Sequence, residues 1–292
     1  MPLADFQFQL DDGETFGRAS DTVKLLAGGW DTGTTELRVQ DVDSPRADTR
    51  AFGRDWLSPP VWTLSLVILK PGGGASYEAD RFIAWWRTSA RRTLGSLSTL
   101  RYGIGGKDFL VYGRPGKVSR SSLAAGDKRV AIVAEFRLQE ALAYGNDEQV
   151  VTLGLTTPTS GGVVLPAVAP LVLAGPAGER AGIINVGGQH LAPVVVQFNG
   201  PATGQALNPV VEVVGEWSIG LTGAVSAGQT VIVDTLRRTV TRNGVDTPGL
   251  LNSTSSLRSR LPRGVLEVKY RAVDPSATSS ATFRFRDTYP CP

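Results

Sequence analysis

The residue types able to do chemistry are few in this chain and poorly placed for it. The single histidine, His190, follows Gly187-Gly188-Gln189 and precedes Leu191 and Pro193, which puts it in a loop. A nucleophilic triad would need it beside an activated serine, and no serine lies in a Gly-x-Ser-x-Gly element. A histidine metal site would need further ligands that the composition does not supply. Gly103-Ile104-Gly105-Gly106-Lys107 has the glycines of a phosphate loop without its spacing, and Asp108 stands where a hydroxyl residue is required, so it reads as a hairpin turn. Glu212 and Glu216 could form a carboxylate pair for glycoside hydrolysis, but Gly215 breaks the run between them and places them on adjoining strands near a turn. The lone cysteine, Cys291, excludes an intrachain disulfide framework and a cysteine-based zinc site, and fits folding in a reducing cytoplasm. No catalytic residue, cofactor or metal is expected.

Two binding chemistries remain to be weighed. Trp217 could act as a stacking platform for sugar on a sheet face, with Glu216 and Asn208 as hydrogen-bonding partners. Against this, no dense cluster of His, Asn, Arg, Trp and Glu surrounds them. The net charge of +3 hides a late basic excess: Arg258, Arg260, Arg263, Lys269, Arg271, Arg284 and Arg286 stand against Glu267 and Asp274. Such a stretch could release counterions from nucleic acid. No stacking aromatics alternate with these arginines, so it reads as a solvated strand edge whose charge discourages edge-to-edge pairing, and no specific nucleic-acid binding is expected.

The elements that would carry these residues are mostly strands. The 292 residues, 41% of them hydrophobic, suffice for about two domains with a core in each. The 34 glycines and 18 prolines punctuate short β-branched runs at roughly 8–12-residue spacing, the pattern of an all-β sandwich or barrel. Residues 6–10, 23–26, 34–42, 61–69, 99–102, 109–112 and 130–138 are strand candidates. The longest apolar run, 61–69, is interrupted by Thr63 and Ser65 and is far short of the ~20 residues of a membrane helix. No membrane association is expected, and residues 1–6 have neither the basic nor the apolar region of a secretory signal.

One segment changes period. Ala79, Phe82, Ile83, Trp86 and Ala90 recur on one face of a helix, predicted over 77–92 with Ser76 as N-cap. Trp85 points off that face. Between strands 34–42 and 61–69 lies a polar connection, 43–60, of about 18 residues, longer than an ordinary loop and therefore expected to be either mobile or functional. It carries Arg46, Arg50, Arg54 and Trp56. A boundary falls in 145–159, where Gly145-Asn146-Asp147-Glu148 and then Thr156-Thr157-Pro158-Thr159-Ser160-Gly161-Gly162 read as turn and linker. The domains are thus 1–157 and 158–292.

The C-terminal part carries the most distinctive series. A strand ending Ile232-Val233-Asp234-Thr235 is followed by a basic turn, then Thr239-Val240, Asn243-Gly244, Leu251-Asn252-Ser253, and Leu261-Pro262-Arg263-Gly264 before a final pair of strands. Upstream, Ile183-Ile184-Asn185-Val186-Gly187 and Pro193-Val194-Val195-Val196-Gln197-Phe198-Asn199-Gly200 extend it. In this order of elements, over about the last 110 residues, the chain resembles the distal tail proteins of siphophages, the Dit-like minor tail proteins of phages infecting actinobacteria. It departs at Val265, where such proteins often carry Asn.

The resemblance implies a mainly β protein: an N-terminal ring-forming β domain with one α-helix, then a galectin-like β-sandwich, with the last strand, 282–285, returning to the N-terminal domain in some relatives. It implies a structural virion protein and no enzyme, a hexameric ring joining the tail tube to the baseplate or tail-tip hub, and an arm at Arg46, Arg50, Arg54 and Trp56 that reaches a neighbouring subunit. The implied partners are further copies of the chain, the tail tube protein, the tail-tip hub or tail-associated protein and the tape measure protein. The implied location is the virion tail tip after assembly in the host cytoplasm. A carbohydrate-binding tail module and a tail-tube protein are the alternatives.

Overall fold

A computed structural model of the chain describes residues 2–43, 49–53, 55–121, 127–155 and 180–292. Among these residues the fold is mainly β, with one α-helix, and the chain divides into two compact units: Met1–Asn146 with Tyr289–Pro292, and Asp147–Thr288. The linker candidate 156–162 lies outside the described residues.

In the first unit the strands lie in the order Thr15–Phe16, Phe8–Leu10, Ser98–Ile104, Lys107–Arg120, Arg129–Leu138, Val61–Leu69 and Val23–Asp31. Alternation drives this sheet: Trp62, Leu64, Leu66 and Ile68 point inward and are fully buried, whereas Thr63 and Ser65 face the other way. An isolated bridge between Gly17 and Lys24 joins the two ends of the series, so the sheet curls back on itself. Gly17 permits the closure, because its φ is 113° and a Cβ there would lie 2.4 Å from the Phe6 carbonyl oxygen. The expected strand 109–112 is in fact part of the first half of a 14-residue strand, Lys107–Arg120. Pro115 and Gly116 conceal it in the sequence, and a register shift between Pro115 and Val118 accommodates them.

The helix spans Ala75–Trp86 and buries Ala75, Ala79, Phe82 and Trp86 against this sheet. It is shorter than the predicted 77–92. Thr88 leaves helical geometry, its hydroxyl donates to the Trp85 carbonyl at 2.8 Å, and Ser89–Arg92 continues as a 3-10 turn. Nor is Ser76 the cap. The Asp127 carboxylate, contributed by a distant turn, accepts from the Gly74 and Ser76 amides and from the Ser76 hydroxyl at 3.1, 2.8 and 2.7 Å. Those bonds, led by the one from the Ser76 hydroxyl, hold Asp127 below the usual carboxylate range. Trp85, which periodicity set apart from the apolar stripe, is half-buried against Phe16, Phe82 and Trp86.

The second unit is two facing sheets. One runs Gln149–Gly154, Ser280–Phe285, Val194–Asn199, Thr230–Asp234, Thr239–Arg242 and Val245–Asp246; the other runs Arg180–Val186, Gly264–Val273, Gln205–Val213 and Trp217–Gly220, with Ala224–Ser226 also paired to Gln205–Val213. Val196, Phe198, Val233 and Phe283 from the first meet Ile184, Val211, Val268 and Tyr270 from the second in one core. Residues 282–285 therefore belong to the second unit, where inward-facing Phe283 and Phe285 fill the sandwich. It is the next strand, Thr288–Pro290, that pairs with Leu142–Gly145 and carries the chain end back to the first unit.

The Asp-Thr and Asn-Gly signals acquire physical roles here. Asp234 Oδ1 accepts from the Leu236 and Arg237 amides, both at 2.9 Å, and so closes the turn. Thr235, fully buried, accepts from the Val194 amide and donates to the Val194 carbonyl, both at 2.9 Å. Asn243 and Gly244 have φ of 48° and 82°, the two left-handed residues of a tight hairpin joining Arg242 to Val245.

Candidate assembly surfaces

The connection between Asp31 and Val61, the ends of two paired strands, is an arm. The expected strand 34–42 does not run through it. Instead Leu37–Arg38 pairs with Trp56–Leu57, and further out Val42–Asp43 pairs with Arg50–Ala51, giving nested antiparallel ladders. At its base the Ser58 amide donates to the Glu36 carbonyl at 2.8 Å and Arg38 Nε donates to Ser58 Oγ at 2.7 Å. Further along, the Gly53 amide donates to Asp41 at 3.1 Å. Arg50 and Trp56 stand on the ladders; Arg46 and Arg54 lie outside the described residues.

What the sequence reading missed on the arm is its apolar surface. Leu37, Val39, Val42 and Leu57 are at least half exposed, and Phe52 is 84% exposed. A lone two-stranded ribbon is marginal in water, and apolar surface gains about 25 cal/mol per Å² when covered. A ribbon with this composition gains order and stability from a second surface. The signal was there in Leu37-x-Val39, but it reads the same in an ordinary half-buried strand.

The candidate sugar-contact residues of the second unit are only partly brought together. Glu216 and Trp217 line a shallow depression with Glu212, Ser218 and Arg271. Trp217 is half-buried and its Nε1 donates to the Arg260 carbonyl at 2.7 Å, so its polar edge is already used. Asn208 is not in that depression. It sits at a register shift in Gln205–Val213 with φ of 46°, and its Oδ1 accepts from the Gly223 amide at 2.9 Å. At about 3.4 Å per residue it lies roughly 17 Å along the strand from Val213.

Of the remaining candidates Glu212 stands on the strand Gln205–Val213, and the others lie at turns and bends. Glu212 pairs loosely with Arg271 at 3.9 Å, and Glu216 follows the left-handed Gly215. His190 is exposed, with its amide donating to the Thr288 carbonyl at 3.0 Å. Gly105 and Gly106, both left-handed, make the hairpin turn between Ile104 and Lys107. Among the described residues no group of three or more His, Cys, Asp and Glu side chains could hold a metal ion, and no helix is long and apolar enough to cross a membrane.

No protein-family model and no curated protein matches this sequence. Solved structures do match. The Dit protein of phage SPP1, described as a hub of the adsorption apparatus in phages infecting Gram-positive bacteria, superposes with a TM-score of 0.60 at 12% identity, over 96% of this chain and 98% of that one. The chain shares the Dit fold. A chain of the phage P2 baseplate, in its activated conformation with Ca, gives a TM-score of 0.57 at 10% identity, over 96% of this chain and 97% of that one. The same baseplate with Sr matches equally well. The Dit likeness spans both units and is not confined to a sandwich that many proteins share.

Proposed function

We propose that this chain is a structural protein of a phage tail, forming a ring at the distal end that links the tail tube to the baseplate or tail-tip hub. The observation that carries this reading is the extent of the fold match: nearly the whole of this chain corresponds to nearly the whole of the SPP1 Dit hub protein, both units included. The arm supports it. A ring is a heterologous assembly in which one surface of a subunit meets a different surface of the next, and a projecting ribbon with exposed Leu37, Val39, Val42, Phe52 and Leu57 is suited to one half of such a contact. In this reading Arg46, Arg50, Arg54 and Trp56 belong to the arm's contact with the next subunit. The second unit is in this reading a galectin-like sandwich by its two-sheet design, and the tail tube, hub and tape measure proteins are the ring's neighbours in the virion.

Native mass spectrometry of the purified chain with negative-stain imaging tests the proposal. Discrete rings of about six chains enclosing a channel are expected. Open-ended tubes would assign it to the tube, and a monomer at every concentration would remove self-assembly from the reading.

A further inference from the structure

The first unit carries a second exposed feature besides the arm. The chain after the helix makes a turn, 93–96, in which the Ser96 amide donates to the Thr93 carbonyl at 3.2 Å and Gly95 has φ of 76°. Leu94 occupies its tip and is wholly exposed, at 102% of the reference value. An exposed leucine on a loose loop would mean little, but this turn is braced. Arg114 donates to the carbonyls of Thr93 and Ser96, each at 2.8 Å, and the Ser96 hydroxyl is within hydrogen-bonding distance of the Arg91 and Thr93 carbonyls at 2.8 and 2.9 Å. The fold spends four polar contacts on presenting one apolar side chain to solvent, with Arg92 beside it.

A cavity that suits this knob opens on the same patch. It encloses about 560 Å³, ample for a leucine, between the helix and the turn 11–15. Phe16, Phe82 and Trp85 line it as an apolar wall; on its rim Arg81 pairs with Glu14 at 2.7 Å and with Glu78 at 3.6 Å, Lys70 pairs with Glu78 at 2.7 Å, and Asp12 is exposed to solvent. Gly13 lets the rim approach so closely that a Cβ would fall 2.6 Å from the Trp85 ring. Arg91 ties knob and cavity together, with its guanidinium 5.0 Å from the Trp85 ring centre and its Nε 2.8 Å from Asp11. Knob and cavity therefore share one patch, with Arg92 next to the knob in the chain and exposed Asp12 on the cavity rim.

We propose that this patch binds a second copy of the chain across a two-fold axis, Leu94 of each copy entering the cavity of the other and Arg92 facing Asp12. A two-fold contact uses the same patch on both partners, and only a patch holding both the knob and its complement can be satisfied in this way. The contact is independent of the arm.

Cross-linking with a short bismaleimide tests it. Leu94→Cys and Glu14→Cys chains are prepared separately; both positions are exposed, and melts by circular dichroism verify folding. The native Cys291 is half-buried and burial pushes its thiol up to about 12; the unsubstituted chain carried through the same reaction serves as its blank. Mixing the two variants is expected to give a covalent dimer that neither gives alone; no dimer in the mixture overturns the proposal. A chain carrying both substitutions is expected to stop at the dimer on a denaturing gel, whereas a ladder of higher species would show a head-to-tail contact and overturn the two-fold. Leu94→Asp should weaken self-association by roughly 10- to 100-fold in sedimentation, and Arg92→Asp should be rescued by Asp12→Arg. Loss of arm-dependent rings with the dimer retained would refute the ring alone.

Discussion

Replacing Thr235 with valine isolates the hydroxyl that fastens the corner of the sandwich. Valine has nearly the volume of threonine, so the change at this fully buried position is chiefly the loss of the hydroxyl. The substitution removes the acceptor of the buried Val194 amide and the donor to the Val194 carbonyl. The carbonyl keeps the Thr235 amide as a partner at 3.1 Å, whereas the amide loses the hydroxyl it donates to. Leaving such a group unsatisfied costs about 1–3 kcal/mol, and 2 kcal/mol is roughly a thirty-fold change in the folding equilibrium. For a unit of about 140 residues that lowers Tm by about 8 °C. Thr235→Ser keeps the hydroxyl and loses one methyl group, worth about 0.8 kcal/mol. Urea titrations of both variants, followed by circular dichroism and fluorescence, should place valine below serine in midpoint with unchanged slope. Valine within 0.5 kcal/mol of the wild type, or serine less stable than valine, would refute the assigned role.

Other consequences can be measured on the same material. Asp274 is buried, which raises its pKa, but bonds from the Ser279 and Ser276 amides and the Ser276 hydroxyl outweigh this and leave it lowered. A depressed carboxylate adds stability that is full above the unfolded value near 3.9 and is lost as pH falls through the folded one, so Asp274→Asn should flatten the acid limb of a stability–pH curve. Gly17→Ala should cost about 1–3 kcal/mol or more in a thermal melt, from the positive φ and the clash with Phe6. Deleting residues 289–292 should destabilise the first unit, which loses the Tyr289 ring packed on Phe109 and the Cys291 amide bond to Ala141; hydrogen exchange resolves which unit loosens. Phe52→Asp on the arm should reduce ring formation in native mass spectra while leaving the melt within about 0.5 kcal/mol.

Local rules carried much of the fold. Period-two runs such as 61–69, the single helical stripe, and Asn243-Gly244 each encode a conformation in a few neighbouring residues, and their type is legible without knowing what they pack against. The Asp-Thr turn was legible as a turn for the same reason. Its second half was not, because Thr235 acts through Val194, far away in sequence. The helix cap went the same way: Ser76 has the right residue type, but Asp127 arrives from another element and turns it into a donor. Lys107–Arg120 was broken by a proline that only a register shift against its partner could absorb.

The site followed the same division. Sequence alone marked the long connection 43–60 as unusual, on length and polarity, and found no arrangement fit for catalysis. It did not show that Leu37, Val39, Val42, Phe52 and Leu57 lie on the surface of a two-stranded ribbon, because exposure depends on whether another layer covers a strand. Nor could it separate Asn208 from Trp217 and Glu216, or set the Leu94 turn beside the Trp85 cavity. Those relations join residues through sheet register and through long-range bonds such as Arg114 to Thr93, and the chain acquires them only when distant segments are brought into contact.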